Sequence, residues 1–138
     1  NLANHILQAF FDKASGVSVE TRADHVFLPV GTVFPCGLII NELVTNSLKH
    51  AFPEGRSGRV LVEFSRAPED RFVLSVKDNG IGLPADFNYK KNESLGFQLV
   101  ANLAEAQLRG RLHVSSNGGT TVKVDFRLLN SSGETHGG

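Results

Sequence analysis

Methionine is absent from this chain, cysteine occurs once, and neither sign of charge is in excess. Each shortage removes a class of explanation. The lone Cys36 has no internal disulfide partner, so a reducing, cytosolic setting is the simplest expectation. Lys plus Arg and Asp plus Glu number 14 each, which argues against a general attraction for nucleic acid or an anionic membrane and leaves only local patches. No apolar run is long enough to span a membrane and no basic-then-apolar leader opens the chain, so no membrane insertion is expected. A chain that starts at Asn1 without any methionine is expected to be a fragment or a processed piece. There is no internal repeat.

What is present is enough for one domain. The chain has 138 residues, and with 41% of them hydrophobic it can bury an ordinary core. Its organising stretch runs from Leu38 to Phe52. Wound as a helix at about 100° per residue, it brings Glu42, Asn46 and Lys49 onto one narrow arc and sets Ile40, Leu43, Val44, Leu48 and Ala51 opposite. A carboxylate, an amide and an ammonium in line are costly if protein covers them, but they suit a cleft that holds a cation and phosphates.

Upstream, Leu2 to Lys13 has helical spacing and carries His5, read as a partly exposed helix histidine rather than a phosphoacceptor. Val17 to Glu20 alternates as a strand, and Val26 to Leu28 before Pro29 reads as a second short extended piece. Pro29, Gly31, Pro35 and Gly37 punctuate a connection into the central helix, with Pro35 in its first turn. Cys36 is expected to pack as a small hydrophobe.

Downstream, the loop Pro53 to Gly58 leads into a strand from Arg59 to Ser65. A hairpin turn over residues 67–70 then leads to a strand from Arg71 to Lys77. Phe72, Leu74 and Val76 share one side of that strand, and the next residue of the same parity is Asp78. A carboxylate facing the covered layer needs a partner. Asp78-Asn79-Gly80-Ile81-Gly82 fits a backbone that approaches a flat ligand, whose amine the carboxylate accepts; a strand-ending turn is the plainer alternative.

Leu83 to Glu93 has no apolar period and is long enough to be a lid carrying Lys90 and Lys91. Ser94 then caps a helix from Leu95 to about Leu108, with Leu95, Leu99, Leu103 and Ala106 on one stripe and Gly110 closing the region. Gly96 in its first turn makes the helix start a phosphate seat, assisted by Lys90 or Lys91. Arg111 to Ser116 and Thr120 to Leu128 form a closing hairpin in which Thr120 shares the inward parity of Val122. Asn130 to Gly138 reads as a disordered tail. Hairpins separated by helices imply an α+β fold, a two-layer α/β sandwich with helices on one face of a mostly antiparallel mixed sheet.

Four motifs in order give that outline a family. Asn41 to Phe52 resembles the N box of bacterial sensor histidine kinases, Asp78 to Gly82 their first glycine box, Ser94 to Val100 their second, and Gly118 to Val122 their last nucleotide-contacting turn. The chain from about Val17 to Leu128 is therefore similar to the ATP-binding catalytic domain of those kinases. That domain has the Bergerat-type nucleotide fold shared with gyrase, Hsp90 and MutL, and the wording here is closest to the subfamily related to the HWE-type kinases. The first glycine usual in the second box is absent, since Glu93-Ser94-Leu95-Gly96 stands there.

The resemblance implies ATP and Mg2+ as cofactors. It makes Asn46 the magnesium ligand, Glu42 and Lys49 the catalytic residues, and Lys49 and His50 the neighbours of the phosphates. Asp78 would hold the adenine amine beside Gly80 and Gly82, helped by Thr120, while Lys90, Lys91, Leu95 and Gly96 line the lid side. The implied partners are a dimerisation domain bearing the phosphoacceptor histidine, and a response regulator. Residues 1–15 would then connect to that domain, and residues 16–129 would be the catalytic domain. Two other functions stay open at this point: an ATPase or conformational switch of the gyrase, Hsp90 and MutL branch, and a nucleotide-binding module without catalysis.

Overall fold

In the computed structural model residues 16–25, 27–83 and 95–128 are described. The expected helix Leu2 to Lys13 with His5, the lid with Lys90 and Lys91, the Ser94 cap and the tail from Asn130 lie outside them. In chain order the elements are β1 (Val17–Ala23), α1 (Val30–His50), a short 3-10 turn (Pro53–Gly55), β2 (Gly58–Ala67) and β3 (Arg71–Asp78). They are followed by α2 (Leu95–Asn102), a wider π-type turn (Leu103–Gln107), β4 (Arg111–Ser116) and β5 (Thr120–Arg127). The strands form one sheet in the order β1-β2-β3-β5-β4. β1 runs parallel to β2, a pairing that needs a crossover, and α1 supplies it; the other pairs are antiparallel. The expected α+β architecture is the one observed.

Strand parity decides which side of the sheet the helices cover. Register aligns Val62 with Val76 and Val122, and Phe64 with Leu74, Val124 and Leu112, so alternate residues of four strands meet on one face. Phe64, Phe72 and Phe126 gather there, with ring centroids 5.6 to 6.3 Å apart. Against this face pack Ile39, Leu43 and Val44 of α1 and Val100 of α2, with Ala104 and Leu108 beyond it. The other face carries charge instead, including the pairs Arg71–Asp125 and Lys77–Glu63.

Three expectations about local structure are corrected. The central helix begins at Val30, about a turn before the expected start with Pro35 in the first turn, so Gly31, expected in the connection, lies inside it. Pro29 caps it in an extended conformation, its carbonyl accepting the amides of Thr32 and Val33 at 2.9 and 3.0 Å. Thr32, Pro35, Cys36, Ile39 and Leu43 are buried at helical spacing, and that burial outweighs the breaker tendency of a proline near the start. No strand forms at Phe27 and Leu28, and Val26 is outside the described residues. Phe27 is exposed, and Leu28 packs partly buried against the core.

The stripe assigned to the second helix is also rotated. Leu99 and Ala106 are exposed, while Phe97, Val100, Leu103, Ala104 and Leu108 are buried. The segment is apolar on nearly all sides, so its periodicity does not single out a face. α-Helical pairing stops at Asn102; the Leu108 amide reaches back five residues to the Leu103 carbonyl at 2.9 Å. Arg109 then takes the left-handed conformation at φ 54°, and Gly110 stands where a side chain would collide with the Asp125 carbonyl.

Candidate functional site

β3 reaches Asp78 without breaking its alternation, so the carboxylate turns toward the helix layer, in register with Val60 on one side and Thr120 on the other. It finds three donors. Oδ1 accepts the amides of Gly80 at 3.0 Å and Thr120 at 3.1 Å, and Oδ2 accepts the Ser47 hydroxyl at 2.8 Å. A carboxylate has about four acceptor places, so one is left, on Oδ2. The half-buried Asp78 is therefore held in place while keeping one acceptor for a ligand donor such as an amine.

The loops around it are fitted by absent side chains. A Cβ on Gly80 would stand 2.3 Å from the Ala51 carbonyl, and one on Gly119 (φ 128°) would stand 1.9 Å from the Asp78 carbonyl. Both positions need glycine because backbone meets backbone there. The Ala51 carbonyl also accepts the Ile81 amide at 3.0 Å, which docks the end of α1 on the loop after β3. Asn79 closes the other side: its Oδ1 accepts the Arg59 amide at 2.7 Å. Gly82, at φ 80°, lies against Ser116, whose Oγ accepts the Leu83 amide at 2.9 Å.

The polar residues expected on α1 lie around Ser47 in the same helix. Glu42 and Asn46, one turn apart, are half-buried, whereas Lys49 and His50 are exposed on its last turn. Asn46 immediately precedes Ser47, so the amide expected to bind a cation adjoins the residue bonded to Asp78. Among the described residues no group of three or more His, Cys, Asp and Glu side chains is placed to hold a metal ion. A divalent cation here would draw on the Asn46 amide oxygen together with water and ligand phosphates, a donor set of the hard oxygen type that Mg2+ accepts. Cys36 takes no part; burial pushes its thiol up to about 11.

The structure thus brings Asp78, Gly80 and Thr120 together. Thr120 contributes its main-chain amide to Asp78, where the sequence pointed to its hydroxyl. Leu95 and Gly96 open α2, and Lys90 and Lys91 fall outside the described residues. Sequence reasoning did not single out Ser47, and it reached Gly119 only as part of the motif Gly118 to Val122. Helical spacing places Ser47 on the inner side of α1, away from the polar arc, and that was the available signal.

Comparison with known proteins identifies a family for the chain. The family described as histidine kinase-, DNA gyrase B-, and HSP90-like ATPase matches residues 34–130. The chain is 34% identical over 126 residues to blue-light-activated histidine kinase 2 of Erythrobacter litoralis, covering 91% of this chain and 35% of the relative. It is 41% identical over 76 residues to the sensor histidine kinase PdtaS of Mycobacterium tuberculosis, covering 54% of this chain and 15% of that one. It therefore spans about a third or less of the length of these relatives. Among solved structures, the histidine kinase domain of an Erythrobacter litoralis blue-light activated histidine kinase is similar, with a TM-score of 0.81 and 32% identity. That match covers 91% of this chain and 63% of the other. The catalytic domain of histidine kinase ThkA, at 13% identity and a TM-score of 0.71, shares the fold, covering 91% of this chain and 88% of its own.

Proposed function

The chain belongs to the histidine kinase-, DNA gyrase B- and HSP90-like ATPase family, and from that premise we propose that it is the Mg-ATP-binding catalytic domain of a two-component sensor histidine kinase. The observation that carries the reading is the Asp78 carboxylate, fixed by three donors with one acceptor place left for the exocyclic amine of adenine. Gly80 and Gly82 flank the ring in this reading. Asn46 holds Mg2+, and Lys49 and His50 lie toward the phosphates, with Lys90, Lys91, Leu95 and Gly96 on the lid side. Bound there, the cation would neutralise phosphate charge.

The reaction is transfer of the γ-phosphoryl group to a histidine nitrogen on a separate domain. The imidazole attacks phosphorus in line as the bond to the departing ADP oxygen breaks, and rate comes from positioning and charge neutralisation. Glu42, one turn before Asn46, orients water or takes the proton of the incoming imidazole. Residues 16–129 make up the catalytic domain and residues 1–15 connect it to the acceptor domain, so the isolated chain binds nucleotide without phosphorylating itself. A response regulator is the downstream partner. No described helix is long and apolar enough to cross a membrane, and a cytoplasmic location belongs to the same proposal.

Calorimetry tests the reading. Asp78→Asn is expected to weaken ATP binding roughly 10- to 100-fold, the worth of a hydrogen bond to a charged group. Asn46→Ala is expected to abolish the magnesium dependence of that binding. Unchanged ATP affinity in the first variant, or unchanged magnesium dependence in the second, overturns the corresponding assignment.

A further inference from the structure

We propose that Ser47 is the positioning residue of the base-recognition carboxylate and sets the preference for a purine that carries an amine at position 6. The inference rests on the nucleotide-binding reading above. It starts from how the three donors are shared: the two amides occupy Oδ1, so Oδ2 is the oxygen with a place to spare. Ser47 donates to that oxygen from α1 at 2.8 Å. An aspartate carboxylate rotates easily about its last torsion, so a donor on each oxygen fixes the direction of the remaining lone pair.

The bond also commits the hydroxyl. A serine has one proton to give, and Ser47 gives it to Asp78, which leaves its oxygen with acceptor capacity only. Asp78, as a carboxylate, offers no proton either. The pair therefore presents acceptors alone to whatever enters. A 6-amino purine satisfies them, whereas a 6-oxo purine sets an acceptor against acceptors and leaves a desolvated polar group unpaired. Without the hydroxyl, Oδ2 turns more freely and shares its places with water, so the amine gains less from binding.

The test is a chemical double-mutant cycle by isothermal titration, with magnesium present. It compares ATP, GTP and purine riboside triphosphate, which carries hydrogen at position 6, on the wild-type chain, Ser47→Ala and Ser47→Thr. The wild type is expected to favour ATP over the 6-hydrogen nucleotide about 10-fold or more. Ser47→Ala is expected to lose about 5-fold in ATP affinity while the 6-hydrogen nucleotide changes less than about 2-fold, and to narrow the gap between ATP and GTP. Ser47→Thr, which keeps the hydroxyl, is expected to restore the wild-type ratios. Equal losses for ATP and the 6-hydrogen nucleotide would mark a merely structural role and overturn the proposal, as would unchanged ratios in Ser47→Ala. A wild-type chain that binds none of the three would overturn the nucleotide-binding reading itself, and this inference with it.

Discussion

At its C-terminal end α1 is tied to the sheet, and at its N-terminal end it only rests on it. Near the end of the helix the Ser47 hydroxyl reaches Asp78, the Ala51 carbonyl holds the Ile81 amide, and Gly80 lets the two backbones touch. At the start, Thr32, Pro35 and Cys36 are buried below, while Val30 and Phe34 stand 71% and 69% exposed above. Hydrogen bonds and close backbone approach fix position to a fraction of an ångström, whereas apolar burial mainly favours coverage. The tied end is the one that bears the candidate site.

The largest effect should come from prising that end loose. Gly80→Ala puts a methyl group into the Ala51 carbonyl and should destabilise the fold by about 1–3 kcal/mol in denaturant titration. A wild-type midpoint would mean that the contact can yield, and the contrast between the two ends would collapse.

The buried side of the loose end has its own signature. The Cys36 thiol has its pKa raised by burial to about 11, so between its unfolded value near 9 and that figure the folded state holds a proton that the unfolded state has released. Stability should be intact below about pH 9 and fall by up to about 2 kcal/mol as pH rises to 11, with Cys36→Ala flattening this slope. A slope unchanged in the variant would remove the burial argument for that half of the helix.

The smallest effect sharpens the contrast. Phe34→Ser, on the exposed side, should shift the unfolding free energy by no more than about 0.5 kcal/mol. A much larger loss would show that this side is covered.

Much of this was readable in advance because strands have an unforgiving period. One step of parity carried the sequence argument from Val76 to Asp78 and another from Val122 to Thr120, whereas the pairing of the two in register required the fold. Helices gave less. Pro35 and Gly37 looked like punctuation although the buried positions around them kept helical spacing, and α2 was too uniformly apolar to reveal its inner side. Ser47 was passed over for another reason: helical spacing sets it on the inner side of α1, but its partner lies 31 residues away and nothing local names the carboxylate that its hydroxyl meets. That Glu42 and Asn46 share one arc of a helix was legible, but the closeness of Gly119 to the Asp78 carbonyl required the fold.

The Asp78 side chain also closes loops. Through it, residue 47 is joined across 31 positions and residue 120 across 42, so the carboxylate is a knot among three stretches that meet only when the sheet is complete. Closing such loops has an entropic cost that local structure cannot repay. The site around Asp78 is therefore complete only when all three stretches are in place, and a molecule bound there is linked to the unfolding of the whole domain rather than to one loop.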